Sequence, residues 1–471
     1  MNTETEQHTY NRKIIVGLLL AGAFIAILNQ TLLVTALPHI MSDLNIDATK
    51  GQWLTTAFML TNGILIPVTA FLIEKFSSRA LVITAMSIFA AGTVVGAIAP
   101  NFPVLLTARI IQAAGAGIMM PLMQTIFLTI FPVEKRGSAM GMVGLVIAFA
   151  PAIGPTLSGW IVDSFTWRYL FYIILPIALI DLVLVIILMK NVTKLRETSV
   201  DILSIILSSL GFGGLLYGFS SAGSDGWGSH TVVTSFIIGV IALLFFIIRQ
   251  MKIERPILEF RVFQSWTFSI TTFLSMLVFA LMIGTETILP LYTQNARSVT
   301  AFDSGLMLLP GAIAMGIMSP IIGRIFDKIG GKGLAIIGFA TLLLTTIPFA
   351  DLKIDTSLTF IVVIYTLRMI GTSMIMMPLT TAGINALPNH LIPHGTAMNN
   401  TMRQIGGSIG TAVLISVMSS SAKNASTSSP INAMIHGMNS AFIVAAVLAL
   451  IGFILSFTLK KKPQKQEQPA R

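Results

Sequence analysis

The amino-acid sequence predicts an all-α membrane protein with fourteen transmembrane helices. Hydrophobic residues fill 54% of its 471 positions and charged residues only 10%, whereas about 25% of an ordinary soluble domain is charged. Apolar runs of about 18 residues or more, each long enough to cross a bilayer as a helix, recur along the whole chain. Hydrocarbon cannot satisfy backbone polar groups, so these runs are expected to be helical.

Fourteen such runs follow one another along the chain. The first ten residues are polar and the first run is too long for a signal-peptide core, so no cleavable leader is expected. The chain has no cysteine, which excludes disulfides and thiolate metal sites. The predicted spans are residues 14–36, 52–73, 80–99, 104–130, 138–162, 168–189, 202–221, 231–250, 267–292, 304–323, 333–350, 357–380, 395–419 and 437–459.

The distribution of basic residues predicts the orientation. Of 29 Lys and Arg, 21 fall at the N-terminus, in even-numbered loops or in the tail, and five fall on the opposite side. The remaining three, Arg109, Arg368 and Arg403, lie inside spans. The positive-inside rule therefore predicts that both termini of this multi-pass chain lie in the cytoplasm. The net charge of +10 then reflects topology and attraction to anionic lipids, not nucleic-acid binding.

An internal repeat relates the two ends of the chain. The sequence IMMPL closes span four at residues 118–122 and span twelve at residues 375–379, which is 257 positions later. Each copy is preceded by an arginine within its span and followed by a Gly-Ser/Thr-Ala-Met segment. The arginines are Arg109 and Arg368, and the segments are residues 137–140 and 395–398.

The repeat divides the chain into two six-helix halves. It pairs span four with twelve and span five with thirteen, so spans seven and eight form an inserted pair in the centre of the sequence. Two parallel six-helix halves around a central cavity are the architecture of major facilitator transporters. The predicted units are residues 1–195, the inserted segment 196–256, and residues 257–471 with a basic cytoplasmic tail.

Several motifs carry a resemblance to one transporter family. The first span reads Leu-Asn-Gln-Thr and then Ala-Leu-Pro, similar to the signature Leu-Asp-x-Thr…Ala-Leu-Pro. Residues 109–117 are similar to Arg-x-x-Gln-Gly-x-Gly, residues 151–159 to Gly-Pro-x-x-Gly-Gly, and residues 323–332 to Gly-x-Leu-Ala-Asp-Arg-x-Gly-Arg-Arg. By these motifs the chain resembles the fourteen-span drug:proton antiporters of the major facilitator superfamily, especially bacterial lincomycin-resistance and multidrug exporters. The resemblance implies the major facilitator fold, a location in the inner membrane of a bacterial cell, and proton-coupled export by alternating access.

The resemblance also implies roles for particular residues. Arg109 would take part in proton transfer, although an arginine that snorkels to the outer interface is the alternative. Gly154, Pro155 and Gly159 belong to the motif that separates exporters from uptake carriers.

Two loops are implied to latch the halves together on the cytoplasmic side. Glu74 and Arg79 lie in a degenerate first copy of the loop motif, and Gly323 and Asp327 lie in the better second copy. Carboxylate–guanidinium contacts would provide the latch. The alternative is a solvated turn that only obeys the positive-inside rule.

The search for a proton carrier leaves two acids. Of 19 Asp and Glu, only Asp181 and Glu286 lie clearly within spans. A carboxyl group shielded from water favours its protonated form, and competition between a proton and a drug for it would couple their fluxes. Glu286 is the main candidate, with an acid at a wet extracellular rim as the alternative. Asp181 is the second, unless it pairs structurally with another helix. Asn29 stands where many family members have Asp, and an amide carries no proton.

Polar and flexible side chains predict the substrate cavity. Asn399 and Arg403 are four residues apart and share a helix face, which is expected to point into the bundle interior, although a purely structural helix contact is the alternative. Methionine suits promiscuous sites because its side chain is adaptable. The expected lining residues are Asn29, Gln30, Thr56, Gln112, Met119, Met120, Asn399 and Arg403.

The leading prediction is a proton-coupled antiporter that exports amphipathic drugs or toxic small molecules. Export of a dedicated endogenous metabolite or lipid-like compound by the same machinery is the alternative. A channel or a sensor is the alternative from a different functional class. The chain has no G-x-x-x-x-G-K-[ST] phosphate loop, so neither a primary pump nor an enzyme is expected. The expected partners are small molecules, protons and membrane lipids, with no cofactor or metal, and the chain is expected to act as a monomer.

Overall fold

The computed structural model describes residues 10–193, 195, 201–425 and 429–460. Within this part of the chain fourteen helices are long and apolar enough to cross a membrane, which confirms the all-α fold and the predicted spans. The first residues of the predicted inserted segment and the basic tail after residue 460 lie outside the described residues. The helices are α1 Arg12–Asp43, α2 Ala48–Lys75, α3 Ser78–Ala97, α4 Phe102–Ile130, α5 Arg136–Ser164, α6 Tyr169–Leu188, α7 Ile202–Asp225, α8 His230–Lys252, α9 Trp266–Leu291, α10 Ala301–Ile329, α11 Gly331–Thr346, α12 Leu358–Asn385, α13 Ile392–Lys423 and α14 Pro430–Ser456.

Polar residues begin the helices at both faces of the bundle. We call the face where α1 begins and α14 ends the terminal side. There, Asn11 and Ser77 accept hydrogen bonds from backbone N–H groups in the first turns of α1 and α3. Asp47 and Asn101 cap α2 and α4 in the same way on the opposite side. These caps satisfy N–H groups that the helices leave free, so each helix starts where the chain turns back.

Glycines bring helices together at repeat-related places. In the first half α3 packs on α4, where a Cβ atom added to Gly115 would lie 2.4 Å from the carbonyl oxygen of Ala85. In the second half α11 packs on α12, where a Cβ atom on Gly338 would lie 2.9 Å from the carbonyl oxygen of Gly371. Small residues allow helix backbones to approach closely in a membrane bundle. The two halves therefore share a packing scheme as well as sequence motifs.

Two contact regions join the halves, and the inserted pair covers one of them. Along one flank α5 packs on α10, and along the other α2 packs on α13. Helix α7 lies against both α2 and α13, with Leu216 2.3 Å from where a Cβ on Gly63 would sit. Helix α8 packs behind α7 through Gly214 and Gly239. The pair is central in sequence but peripheral in the structure.

On the side opposite the termini, Asp43 ties the end of α1 to the turn before α6. The indole Nε1 of Trp167 and Nη1 of Arg168 each donate to Asp43 Oδ2 at 2.9 Å. These two contacts hold the pKa of Asp43 below its ordinary value. They connect elements within the first half, so they support that half as a unit.

Candidate functional site

A buried cluster in the second half contains the main acid predicted from the sequence. Arg368 on α12 is 1% exposed. Its Nη2 donates to the carbonyl oxygen of Leu281 at 3.1 Å and its Nη1 to the hydroxyl of Thr346. The Glu286 carboxylate on α9 lies within electrostatic range of Arg368 and accepts a hydrogen bond from the Tyr365 hydroxyl. A carboxylate, a guanidinium and a phenol thus meet inside the bundle.

Tyr365 was not predicted from the sequence. It lies three residues before Arg368 on α12, so the two side chains share a helix face. Gly311 on α10 leaves room for the phenol, because a Cβ there would lie 2.6 Å from Tyr365 Cδ1. The i, i+3 spacing to the intramembrane arginine was the available signal.

The first half holds an arginine cluster of a different composition. Arg109 is fully buried, so the interfacial, snorkelling alternative does not describe it. Its Nη1 donates to Gln112 Oε1 at 2.9 Å, and its guanidinium carbon lies 4.2 Å from the centre of the Phe58 ring. Gln112 Nε2 donates to Thr93 at 2.9 Å and lies 3.5 Å from Asn29 Oδ1. Among the described residues no carboxylate pairs with Arg109, and its Nη2 has no hydrogen-bond partner.

The two clusters lie on helices that the sequence repeat relates. Asn29 on α1 and Glu286 on α9 are separated by the 257-residue offset of the IMMPL motif, whereas Arg109 on α4 and Arg368 on α12 lie nine and seven residues before their copies of that motif. The two halves therefore present the same buried cation but different partners, an amide network in one and a carboxylate in the other. The 257-residue offset of the motif could be read from the sequence, and it pairs the amide Asn29 with the acid Glu286.

Asp181, the second candidate acid, lies apart in the first half. It is 4% exposed, and its Oδ2 has no hydrogen-bond partner. A Cβ on Gly22 of α1 would lie 3.1 Å from that oxygen and 2.7 Å from Met119 Cε. The alternative for Asp181, a structural pairing with another helix, finds no partner for this oxygen among the described residues. Burial of an unpartnered ionised carboxyl group is costly, so Asp181 stays a candidate for proton binding.

The predicted lining residues fall into two groups. Asn29, Gln112 and Met119 are buried between helices, the first two in the Arg109 network and the third beside Asp181. Gln30, Thr56 and Met120 are partly exposed.

Helix α9 presents a partly exposed stripe between Met276 and Pro290. Neighbouring residues on its other faces are largely buried, and the spacing of three or four residues defines a single stripe. This stripe, which we call the α9 strip, comprises Met276, Phe279, Ile283, Glu286 and Pro290.

Helix α13 presents two polar faces. Asn399 packs into the second half, where it accepts from Thr380 at 3.2 Å and lies 3.4 Å from Thr272. Asn400 donates instead to Gln124 of α4 at 2.8 Å, across the boundary between the halves. Arg403 lies one turn beyond Asn399, with its guanidinium carbon 4.8 Å from the centre of the Phe279 ring. The polar residues of α13 therefore point inward, as expected.

The terminal side is closed by acids at the ends of α2 and α10. Asp327 accepts from the backbone N–H groups of Gly137 at 2.7 Å and Ser138 at 2.8 Å, and from the Ser138 hydroxyl. A carboxylate at a helix N-terminus is favoured by the free N–H groups and the helix dipole. Glu74 makes the related contact in the other direction, with its Oε1 3.3 Å from His394 Nε2 near the start of α13.

Arg79 does not take part in this closure. Its Nη2 donates to the carbonyl oxygen of Ile186 at 2.6 Å, which lies in the same half at the end of α6. The expectation that Arg79 bridges the halves is therefore wrong in this conformation, because the carbonyl groups at a helix C-terminus supply a nearer acceptor. At the contact itself the donors are backbone N–H groups, the Ser138 hydroxyl, His394 and a different arginine, Arg136, whose Nη1 donates to Asn385 Oδ1 of α12 at 2.9 Å.

Glycines at the α5 interfaces differ in how tightly they are packed. A Cβ on Gly323 would lie 2.3 Å from the carbonyl oxygen of Gly137, so α5 and α10 touch backbone to backbone there. A Cβ on Gly154 would lie 2.1 Å from Thr31 Oγ1 of α1. At Gly159 the nearest atom, in Phe302, would be 4.0 Å away. Pro155 is partly exposed.

We predict that Gly154→Ala destabilises the protein and that Gly159→Ala does not. The methyl group at position 154 would displace the Thr31 hydroxyl, which donates to the Leu28 carbonyl oxygen at 3.0 Å. Overpacking of this kind costs about 1–3 kcal/mol. Thermal unfolding of the purified variants in detergent measures the difference. Equal midpoints for the two variants would contradict the close approach of α1 and α5.

Comparisons with known proteins agree with this architecture. The Major Facilitator Superfamily model matches residues 19–411, so the chain belongs to the major facilitator superfamily. It is an integral membrane transporter of small molecules and not an enzyme. It is 74% identical to YcnB of Bacillus subtilis, described as an uncharacterized MFS-type transporter, over the full length of both chains.

Two more distant proteins extend the comparison. The lincomycin resistance protein LmrB of Bacillus subtilis is 43% identical over 95% of each chain. The crystal structure of the human organic anion transporter MFSD10 gives a TM-score of 0.68 over 94% of this chain and 99% of that chain. Its sequence identity is 14%, so it supports the fold alone.

Proposed function

We propose that this protein is a proton-coupled antiporter that exports amphipathic drugs or toxic small molecules by alternating access. The observation that carries the proposal is the Glu286 cluster. A carboxyl group inside the bundle, on a partly exposed helix face and beside a buried guanidinium, can gain and lose a proton as its surroundings change. The similarity to a lincomycin resistance protein supports export of foreign compounds.

The closed terminal side defines one state of the proposed cycle. We propose that this side faces the cytoplasm of a bacterial cell, as the basic residues indicate, and that the protein works as a monomer among membrane lipids. The contacts of Asp327 and Glu74 would then hold the halves together at the inner face. Separation of these contacts would open the interior to cargo from the cytoplasm.

Transport by the purified protein in sealed liposomes tests this proposal. With lincomycin as the first cargo and an imposed pH difference, we expect accumulation against the lincomycin gradient, because proton flow supplies the driving force. A protonophore is expected to abolish the accumulation. Empty liposomes control for leakage. Accumulation to the same final level with and without the pH difference would refute proton coupling, and fluorescent amphipaths repeat the test should lincomycin not be carried.

A further inference from the structure

Arg403 is a buried cation without a counter-charge. It is 4% exposed, and its Nε and Nη1 atoms have no hydrogen-bond partner. Within the described residues no acid forms an ion pair with it, and its recorded contact is the face of the Phe279 ring. A guanidinium carries five donors, and leaving them unsatisfied in a low-dielectric interior is costly.

Arg368, also buried in the second half, shows how an arginine is satisfied inside this bundle. Arg368 donates to a carbonyl oxygen and a hydroxyl, and it lies near the charge of Glu286. The cation–π contact of Arg403 orients the guanidinium plane but leaves its N–H edge free. Arg403 therefore keeps N–H donors that no protein group in the described part of the chain accepts. A purely structural role does not require such unsatisfied donors.

Arg403 lies next to partly exposed residues on its own helix and on α9. Phe279 belongs to the partly exposed α9 strip, and Glu286 lies two turns further along the same strip, about 10 Å away. Next to Arg403, Gln404 is partly exposed. Across the boundary between the halves, Gln124 has an Nε2 atom without a partner. The guanidinium thus lies beside partly exposed residues, and the described residues of the facing half include a second buried donor without a partner.

The charged residues buried deep in the bundle include more arginines than acids. Arg109, Arg368 and Arg403 are all buried deep in the bundle, whereas the acids at that depth are Asp181 and Glu286. Glu286 lies near Arg368, and Asp181 packs elsewhere, beside Gly22. The region around Arg403 therefore attracts negative charge.

We infer that Arg403 anchors an anionic group of the cargo, so that the exported compounds include amphipathic carboxylates. The inference rests on the proposed function, because it names the substrate class of that same cavity. A carboxylate accepts two parallel N–H bonds from a guanidinium fork. The apolar body of the compound would lie along Phe279, Ile283 and Met276 of the α9 strip.

Binding of a matched pair of probes tests this inference. The probes are 11-(dansylamino)undecanoate and its methyl ester, which differ in the anionic group, and dansyl fluorescence reports their binding to the protein in detergent. We expect the wild type to bind the acid more tightly than the ester. In Arg403→Gln the affinity for the acid should fall at least about tenfold, with the ester unchanged. Arg403→Lys should lie between the two, because it keeps the charge without the fork.

The control is Arg324→Gln, which removes an exposed arginine at the end of α10 and should leave both affinities unchanged. Equal binding of acid and ester by the wild type overturns the inference by itself, even if Arg403→Gln fails to fold. An unchanged affinity for the acid in a folded Arg403→Gln overturns it as well. The assay uses no gradient, so a protein that discriminates the probes but moves no protons would refute only the proposed coupling.

Discussion

The Glu286→Gln variant is expected to lose proton-coupled export while it remains folded. An amide cannot exchange a proton, but its oxygen can still accept the hydrogen bond that Tyr365 gives to this position. In sealed liposomes with an imposed pH difference, cargo accumulation should fall to the level of empty liposomes. Exchange of labelled for unlabelled cargo without a gradient should persist, because it needs alternating access but no net proton movement.

Two further variants make this result specific. Asp303→Asn changes an exposed acid in the first turn of α10 and should transport normally. The double variant Asn29→Asp with Glu286→Gln moves the acid to the repeat-equivalent position, near an arginine that has no carboxylate. We expect this swap to restore part of the coupled transport. Full coupling in Glu286→Gln would eliminate Glu286 as the proton carrier and leave Asp181 as the candidate.

The Asp327→Ala variant is expected to open the terminal side. The change removes the acceptor of three hydrogen bonds from Gly137 and Ser138, and each unsatisfied donor costs about 1–3 kcal/mol. The equilibrium should therefore shift at least about tenfold toward the state in which the halves are separated there. The chain contains no cysteine, so spin labels on cysteines placed at the exposed positions Lys135 and Lys328 report this distance selectively.

The matched control for this experiment is Asp351→Ala. Asp351 is an exposed acid on the opposite side, 3.8 Å from Lys353 Nζ, and its loss should leave the spin-label distance unchanged. If Asp327→Ala also gives the wild-type distance distribution, the contacts around the start of α5 do not hold the halves together. Transport alone would be a weaker test, because several steps limit its rate.

The sequence predicted the fold well because the signal behind it is local. Each span is a run of apolar residues whose length alone fits a bilayer, and the predicted limits differ from the helices mainly by a few residues at the ends. The buried arginines and Glu286 were also found from the sequence, since charge within an apolar run is conspicuous and costly.

The partners of these residues were harder to predict because they depend on packing between distant segments. Tyr365 meets Glu286 across two helices, and Asp181 meets Gly22 and Met119 only through the arrangement of α1, α4 and α6. The terminal-side contact was expected to use Arg79, but Asp327 binds backbone N–H groups of α5, and the arginine that reaches the other half is Arg136. Exposed helix starts are acceptor sites that residue identity alone does not reveal.

The placement of α7 and α8 makes the two flanks of the transporter unequal toward lipid. The α5–α10 junction meets the bilayer directly, with Trp160 and Phe302 largely exposed near the end opposite the terminal side. The α2–α13 junction is screened by α7, and α8 behind it turns an apolar surface outward. A compound dissolved in the acyl chains can therefore diffuse up to the α5–α10 junction. Helices α7 and α8 block the same approach to the α2–α13 junction.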